Sequence, residues 1–293
     1  MNDLNILMIP PHDLLMHPTP SRLYHIGKIL GRRHNVFLLS YPGHPLADRR
    51  HIRAMNCKHV SFGPIGTQNL GLYYLINAPS ICAALSTLMR NERIDVIIHS
   101  NIVPSYIGLK IGKMHKIPAI CDYHDHLPES AAAYYTNRHL SRIAHSFVLS
   151  LVKRNIDMSD CVVTNSKTLR DFVTSTVRSK QHRIFVIPNG IDVDVFNPLP
   201  VRDARKALGL EGYQRVLLCY GSLDVWLDFE ILIKVLKDLR ANYHTTLLMI
   251  VGLSHNNAVR VRLEDLIRKY ELHKNVMLVP PQPYERIPLF VNA

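Results

Sequence analysis

A cluster of ionisable side chains follows a short apolar run in the first half of the chain. The run Pro118–Tyr123 is followed by His124, Asp125 and His126, with Glu129 three residues further on. If the run is a parallel strand, these side chains lie at its carboxyl end, where open α/β sheets bind ligands. One interpretation is a metal site, although neighbours on a loop with no further fixed ligand are a poor metal-binding arrangement. The other is a loop without a chemical role.

Short apolar segments alternate with longer amphipathic ones around this cluster. This rhythm predicts a parallel sheet with helices on both faces, a doubly wound, Rossmann-like domain. The predicted strands are Leu4–Ile9, Asn35–Ser40, Lys58–Phe62, Ile94–His99, Pro118–Tyr123, Cys161–Thr164 and Arg183–Ile187. The predicted helices are Ser21–Arg33, Leu72–Asn91, Pro104–His115, Asn137–Ile156 and Lys167–Val177.

A break at Pro188–Pro200 separates this domain from a second one. The break contains an Asn-Gly turn signal and a proline-rich extended stretch. The same strand–helix rhythm then restarts but gives three strands, whereas open doubly wound sheets usually have about five or six. We therefore predict an α/β protein of two Rossmann-like doubly wound domains, 1–195 and 196–293, the second incomplete. The second-domain elements are Arg215–Tyr220, Trp226–Ala241, Thr246–Val251, Asn257–Tyr270, Val276–Val279 and a helix from Glu285.

The positive charge of the chain is concentrated in its first part. The net charge is +12, and residues 1–180 carry 21 Lys/Arg against 11 Asp/Glu, while residues 181–293 carry 14 against 12. This surplus favours an anionic partner such as a lipid surface, a lipid-linked acceptor or an acidic glycan. A surface that serves only solubility is the alternative. The basic residues are scattered and match no nucleic-acid motif, so no nucleic-acid partner is expected.

Targeting and redox features are sparse. No apolar run approaches the ~20 residues that span a bilayer, and the start, MNDLNILMIPPHD, lacks the pattern of a signal peptide. The five cysteines are scattered without a CxxC spacing, which favours buried thiols in a reducing cytosol over disulfides or zinc. These features predict a cytoplasmic protein. The cysteines are Cys57, Cys82, Cys121, Cys161 and Cys219.

The predicted helix Asn137–Ile156 carries an apolar stripe beside basic residues. The favoured interpretation is a core-facing stripe, and the alternative is a surface helix that enters an anionic lipid interface. The stripe consists of Leu140, Ile143, Ala144, Phe147, Val148 and Leu151, with Arg138, Arg142, Lys153 and Arg154 elsewhere on the helix.

The most specific local pattern is RIFVIPNGID at residues 183–192, followed by Phe196-Asn197-Pro198. By physics alone it is a strand and a turn in which Asn-Gly brings the backbone close to a ligand or another domain. The pattern resembles the IPNG-(V/I)-D-x-x-x-F-x-P signature of the family 4 glycosyltransferases, which have the GT-B fold. Further segments match in order along essentially the whole chain, among them Asp160–Val173, Tyr220–Ser222, Val251-Gly252 and Asn275–Val279.

The resemblance implies a function. Such a protein transfers a hexose from a UDP- or GDP-sugar to an acceptor hydroxyl with retention of configuration, and it needs no metal or other cofactor. The expected partners are the nucleotide-sugar donor and a glycan or lipid-linked acceptor. The expected pathway is the assembly of cell-envelope polysaccharide or glycolipid. The expected location is cytoplasmic, peripheral to the inner face of the cytoplasmic membrane.

The resemblance also implies roles for individual residues. His124 aligns with the family histidine that reaches the donor sugar, with Asp125 beside it. Asp125 and Glu129 are candidates to orient that imidazole or to contact acceptor hydroxyls, and Arg22 is a candidate for phosphate unless it is merely solvated. The residues expected to bind the donor are Asn189, Gly190, Gly221, Ser222 and Gly252.

The chain departs from the family pattern in three places. No glycine lies between Met1 and Gly27, so a glycine-rich phosphate cradle after the first strand is not expected, and Ser21 is expected to cap the first helix. Ser222 stands where many members have arginine, and Trp226 is either core or a wall of the donor pocket. The segment with two glutamates seven residues apart is expected beyond Ala293. The alternative function is therefore a truncated or split acceptor-binding module that needs a partner segment for catalysis.

Overall fold

The computed structural model divides the chain into two compact units, Met1–Gly190 and Ile191–Ala293. The placement of the functional boundary between residues 195 and 196 stays a prediction. The structure describes residues 3–17, 19–48, 52–176, 183–222, 228–253 and 257–293.

The first unit is built on a seven-stranded sheet in the order β3-β2-β1-β4-β5-β6-β7. Every neighbouring pair in it is parallel. Each strand coincides with a predicted one to within two residues, because each is a short, largely apolar run. The strands are β1 (Asn5–Ile9), β2 (Asn35–Leu39), β3 (Lys58–Val60), β4 (Val96–His99), β5 (Ala119–Tyr123), β6 (Cys161–Thr164) and β7 (Arg183–Val186).

Helices cover both faces of this sheet, as predicted. Alternate residues of β1 point to opposite faces: Leu7 and Ile9 pack in one apolar cluster, and Ile6 and Met8 pack in another. Ser21 caps the first helix by accepting a hydrogen bond from the amide of Tyr24 at 3.4 Å. The helices are α1 (Arg22–Leu30), α2 (Leu70–Ile76), α3 (Ala78–Asn91), α4 (Val103–Met114), α5 (Leu127–Ala133), α6 (Arg138–Asp157) and α7 (Lys167–Thr176).

The predicted single helix Leu72–Asn91 is wrong, because Asn77 divides it into α2 and α3. The buried Asn77 side chain donates to the carbonyl oxygens of Ile65 and Tyr73 at 3.0 and 2.8 Å and accepts from the amide of Ile65 at 2.7 Å. These bonds anchor the preceding loop and bend the two helices by 57°. Among the described residues no single helix has the length and apolar character to cross a bilayer, although this bent pair passes that test together.

The predicted core stripe of α6 is wrong for the amino-terminal half of the helix. Leu140, Ile143 and Phe147 are 51%, 65% and 53% exposed. The buried residues are Val152, Asn155 and Ile156, in the carboxyl-terminal half. The apolar cluster formed with β5, β6 and α7 contains Val152 and Ile156 and takes in only Val148 at its margin. The amino-terminal half of α6 therefore presents its apolar side chains to solvent.

The expectation of five buried thiols is also wrong. All five cysteines are free, but only Cys121 is buried, and Cys82 is exposed on α3. An apolar neighbourhood in sequence does not decide which side of a helix a small residue occupies. Burial raises the pKa of the Cys121 thiol, and the charges of Asp122 and Cys161 raise it further.

The second unit is a three-stranded parallel sheet in the order β10-β9-β8. Its three strands match the predicted ones, and β9 is central and buried from Leu247 to Val251. Helix α8 was not predicted, because its proline-rich approach reads as an extended linker. Trp226 lies outside the described residues. The elements are α8 (Val201–Leu208), β8 (Arg215–Ser222), α9 (Phe229–Asn242), β9 (Thr246–Leu253), α10 (Asn257–Lys269), β10 (Val276–Val279), a 3₁₀ turn (Tyr284–Arg286) and α11 (Ile287–Val291).

Candidate active site

The carboxyl end of β5 carries one carboxylate, that of Asp122, next to the predicted histidine cluster. Cys121 and Tyr123 point into the core, so the alternating residue Asp122 points to the opposite face of the sheet. The side chain of Asp122 is only 4% exposed and lies 3.0 Å from Arg22 and 3.2 Å from His124. A buried carboxylate of this kind requires cationic or hydrogen-bonding partners. Asp122 is therefore the centre of the site, and sequence reasoning did not single it out.

Arg22, at the start of α1, joins three segments that are distant in sequence. Its Nε donates to Oδ1 of Asp122 at 3.0 Å. Its Nη1 donates to the carbonyl oxygen of Pro188 at 3.1 Å and to Oδ1 of Asn189 at 3.2 Å. With a side chain 12% exposed, Arg22 is not the freely solvated residue that one interpretation allowed. It fixes the loop after β7, which carries Asn189 and Gly190, against the ends of α1 and β5.

His124 pairs electrostatically with Asp122. Nδ1 of His124 lies 3.2 Å from Oδ2 of Asp122. Both atoms are buried, and neither makes a well-aligned hydrogen bond with any described residue, so charge attraction dominates the contact. With Nδ1 turned toward Asp122, the other ring nitrogen, Nε2, is on the opposite side of the ring. This arrangement fixes the imidazole and leaves Nε2 for a ligand.

The pKa of His124 is raised above its ordinary value of 6.5. Burial lowers it, but the close carboxylate of Asp122, with a smaller effect of Asp125, more than offsets the burial. The folded protein thus favours the charged imidazole. The pair stabilises the fold fully below the unfolded pKa of about 6.5, and this contribution is lost as pH rises through the raised folded pKa.

The loop after β1 contains no glycine, and the carboxylate of Asp13 holds its backbone in place. Oδ1 of Asp13 accepts from the amides of Leu15 and Met16 at 3.0 and 3.1 Å, and Oδ2 accepts from the amide of Tyr41 at 3.2 Å. The same loop carries His12, whose ring stacks on that of His17 at 4.0 Å.

His12 is a second residue that sequence reasoning did not single out. Burial lowers its pKa well below 6.5, and the nearby charges of His17, His44 and His124 lower it further. Its Nε2 is buried without a hydrogen-bond partner among the described residues. A neutral imidazole with an unused polar atom thus lies within electrostatic reach of His124.

Asp125 and Glu129 do not orient His124 through direct contact, since Asp122 occupies that position. Asp125 is exposed and acts on His124 only through its charge. Glu129 is exposed and lies 3.7 Å from His126 and 3.6 Å from His145 of α6. Among the described residues, no three histidine, cysteine or acidic side chains are arranged to hold a metal ion. The structure therefore gives no support to the metal interpretation of this loop.

A cavity of about 580 Å³ lies beside the loop after β2 and the loop that leads to α2. Burial, and next the charge of His17, lower the pKa of His44 in its wall to about 4. His44 is therefore neutral near pH 7, and its Nε2 lies 3.1 Å from the hydroxyl of Tyr74. The described lining carries no fixed charge and consists of Met16, Pro42, Gly43, His44, Pro45, Ala47, Gly66, Thr67 and Gln68.

In the second unit, two glycines lie side by side at the carboxyl ends of β8 and β9. Gly221 pairs with Gly252 in the sheet register and has φ +139°, which side chains rarely permit. A Cβ on Gly252 would overlap the carbonyl oxygen of Gly221. The two backbones thus require glycine at both positions. No side chain of these two residues covers the backbone at this end of β8 and β9, which is called the bare strand edge below. Ser222 ends β8 beside them.

Two parallel α/β units of this kind occur in the GT-B class of sugar transferases. The family model described as Glycosyltransferase Family 4 matches residues 21–195, and the model described as Glycosyl transferases group 1 matches residues 201–293. The chain belongs to glycosyltransferase family 4.

Solved structures share the fold at low sequence identity. The sucrose-phosphate synthase of Thermosynechococcus elongatus is 18% identical with a TM-score of 0.79, over 99% of this chain and 73% of that one. HepE of Anabaena in complex with UDP-glucose is 17% identical with a TM-score of 0.66, over 98% of this chain and 71% of that one.

A sequence relative supports the same class. The D-inositol 3-phosphate glycosyltransferase of Mycobacteroides abscessus is 26% identical over 133 residues. The match covers 45% of this chain and 29% of that relative, so it spans less than a third of the relative's length.

Proposed function

We propose that this chain transfers a hexose from a UDP- or GDP-sugar to an acceptor hydroxyl, with retention of configuration and without a metal or other cofactor. The single observation that carries the proposal is the Arg22–Asp122–His124 cluster at the carboxyl edge of the first sheet. Family membership supports the reaction class, and HepE, a protein of the same fold, was solved with UDP-glucose. The proposed pathway is the assembly of cell-envelope polysaccharide or glycolipid on the cytoplasmic face of the membrane.

His124 is the proposed catalytic residue. In its charged form its Nε2–H donates a hydrogen bond to an oxygen of the donor, which helps to orient the sugar and to stabilise charge that develops as the glycosidic bond breaks. Asp122 positions the ring and favours its charged form, and Arg22 holds Asp122 in place. Asp125 adds negative charge nearby. We infer no protein nucleophile.

The donor contacts proposed in the second unit are Gly221, Ser222 and Gly252. At the bare strand edge, backbone amides can approach phosphate oxygens closely, as glycine-lined anion sites do. In the first unit, Asn189 and Gly190 are the proposed donor contacts, and the bond from Arg22 to Asn189 fixes their loop.

The acceptor is proposed to be a glycan or a lipid-linked saccharide that binds in the first unit. The uncharged lining of the cavity near His44 suits neutral sugar hydroxyls, which need hydrogen-bond partners more than fixed charge. Glu129 is a proposed contact for acceptor hydroxyls. Arg22 is a further proposed contact for an acceptor phosphate. Its Nε and Nη1 already donate to protein groups, so the proposed phosphate contact uses Nη2.

A donor screen tests this function. The full chain is mixed separately with UDP-, GDP- and ADP-sugars, and its thermal unfolding is recorded, with the free sugars as controls. We expect a UDP- or GDP-sugar to stabilise the fold by about 2.7 kcal/mol at a hundredfold excess over its Kd. Product NMR should then show an unchanged anomeric configuration. No stabilisation and no nucleotide release with any donor would contradict the proposal.

A further inference from the structure

The amino-terminal half of α6 and the turn before it form an exposed apolar surface, here called the α6 surface. Tyr134 and Tyr135 are 61% and 43% exposed, and Leu140, Ile143 and Phe147 of α6 are each more than half exposed. Isolated exposed apolar residues are common, but a contiguous group on one helix marks an interaction site. The α6 surface consists of Tyr134, Tyr135, Leu140, Ile143 and Phe147.

The charges around this surface have one sign. Between Glu129 and Asp157 the sequence contains no acidic residue. Arg138 and Arg142 are exposed in the first turns of α6, on the side of the helix away from Leu140 and Phe147, and Lys153 and Arg154 are exposed near its end. A helix with large exposed apolar groups on one side and basic groups on another is typical of an interfacial helix on anionic lipid.

The topology places the α6 surface at the functional edge of the first unit. Because β5 and β6 are parallel neighbours, the helices between them return the chain from the carboxyl edge to the amino edge of the sheet. The amino-terminal half of α6 therefore lies at the carboxyl edge, where β5 ends at the Asp122–His124 pair. His145 of α6 also lies 3.6 Å from Glu129, which follows His124 by five residues.

We propose that the α6 surface docks this protein on an anionic lipid bilayer. The apolar and aromatic side chains enter the headgroup region while the arginines pair with lipid phosphates. The one-sided charge favours this occupant over a second copy of the chain, because two such surfaces would repel each other. Docking holds the carboxyl edge near the membrane, which suits a lipid-linked acceptor. That last consequence rests on the proposed function, but the docking itself does not.

Vesicle sedimentation without donor or acceptor tests the docking separately from sugar transfer. The full chain is mixed with vesicles of phosphatidylcholine alone or of phosphatidylcholine with phosphatidylglycerol, at low and high salt. The test variants are I143S/F147S and R138Q/R142Q. The matched control is L72S/L75S, which removes two exposed apolar residues of α2 (46% and 52% exposed) from a segment that has no charged residue. Circular dichroism checks that each variant is folded.

We expect binding to the anionic vesicles that weakens with salt and is absent with phosphatidylcholine alone. R138Q/R142Q should weaken it about fivefold for each arginine, from about 1 kcal/mol per basic residue near the surface. I143S/F147S should weaken it on the order of tenfold or more, and L72S/L75S should leave it unchanged. Three results would overturn the proposal: no binding by the unmodified protein, unchanged binding by I143S/F147S, or an oligomer that only I143S/F147S dissociates, which would make the surface a contact between copies.

Discussion

Substitution of His124 by glutamine is expected to slow sugar transfer about 100-fold, the size of effect produced by losing one preorganised hydrogen-bond donor in an active site. Glutamine keeps a polar side chain of similar reach but carries no positive charge. Donor affinity should change far less than turnover, because the proposed contact strengthens as the glycosidic bond breaks. The measurement is the rate of nucleotide release with the donor that the screen identifies, with kcat and KM determined separately.

The neighbouring substitution His126→Gln is the matched control and should leave kcat within about threefold of the unmodified protein. His126 lies in the same loop, but its partner is the exposed Glu129 at 3.7 Å. The pH profile gives a second readout. With the charged imidazole as the active form, kcat falls as pH rises through the raised pKa of His124. His124→Gln should lack that limb, and a profile that keeps it would assign the titration to another group.

Substitution of Gly252 by alanine is expected to destabilise the second unit by about 3 kcal/mol or more, since backbone must move to accept the new atom. The added Cβ overlaps the carbonyl oxygen of Gly221, and this neighbour cannot turn aside as a flexible side chain would. Donor binding should fall along with stability, because the same strand edge is its proposed contact. The effect is measured on the full chain by thermal unfolding and by the rate at which a protease cleaves within residues 191–293.

Gly212→Ala is the matched control in the same unit. Nothing lies within 4 Å of a Cβ at Gly212, so its replacement should change the unfolding free energy by less than about 1 kcal/mol. If Gly252→Ala and Gly212→Ala unfolded at the same temperature, the close pairing of β8 and β9 at Gly221 would be contradicted.

The strands and their order along the chain were predictable because each is a short apolar run bounded by turn residues. The run Asn5–Ile9 shows this well, since four of its five residues are buried. Helix boundaries were less predictable where a side chain competes with the backbone. Asn77 ends α2 through bonds to the distant Ile65, which no helical periodicity reveals.

The site was predictable only in part, because its central contacts join residues far apart in sequence. The resemblance to the family pointed to His124 by its position after a strand. Asp122 stood in the same motif as the one charge in a buried strand, a usable signal, but its partner Arg22 is 100 residues away. The exposure of Ile143 was likewise outside the reach of the sequence, because a periodic stripe does not say which turns reach the core.

A double-mutant cycle on His124 and Asp122 tests the central claim most directly, that the two act as one unit in sugar transfer. The rates of nucleotide release are compared for the unmodified chain, His124→Gln, Asp122→Asn and the double variant, with thermal unfolding recorded for each to correct for the folded fraction. If Asp122 acts through His124, the double variant should be no slower than His124→Gln within about threefold. A double variant slowed by the product of the two single effects would show that the residues act independently and would contradict this account.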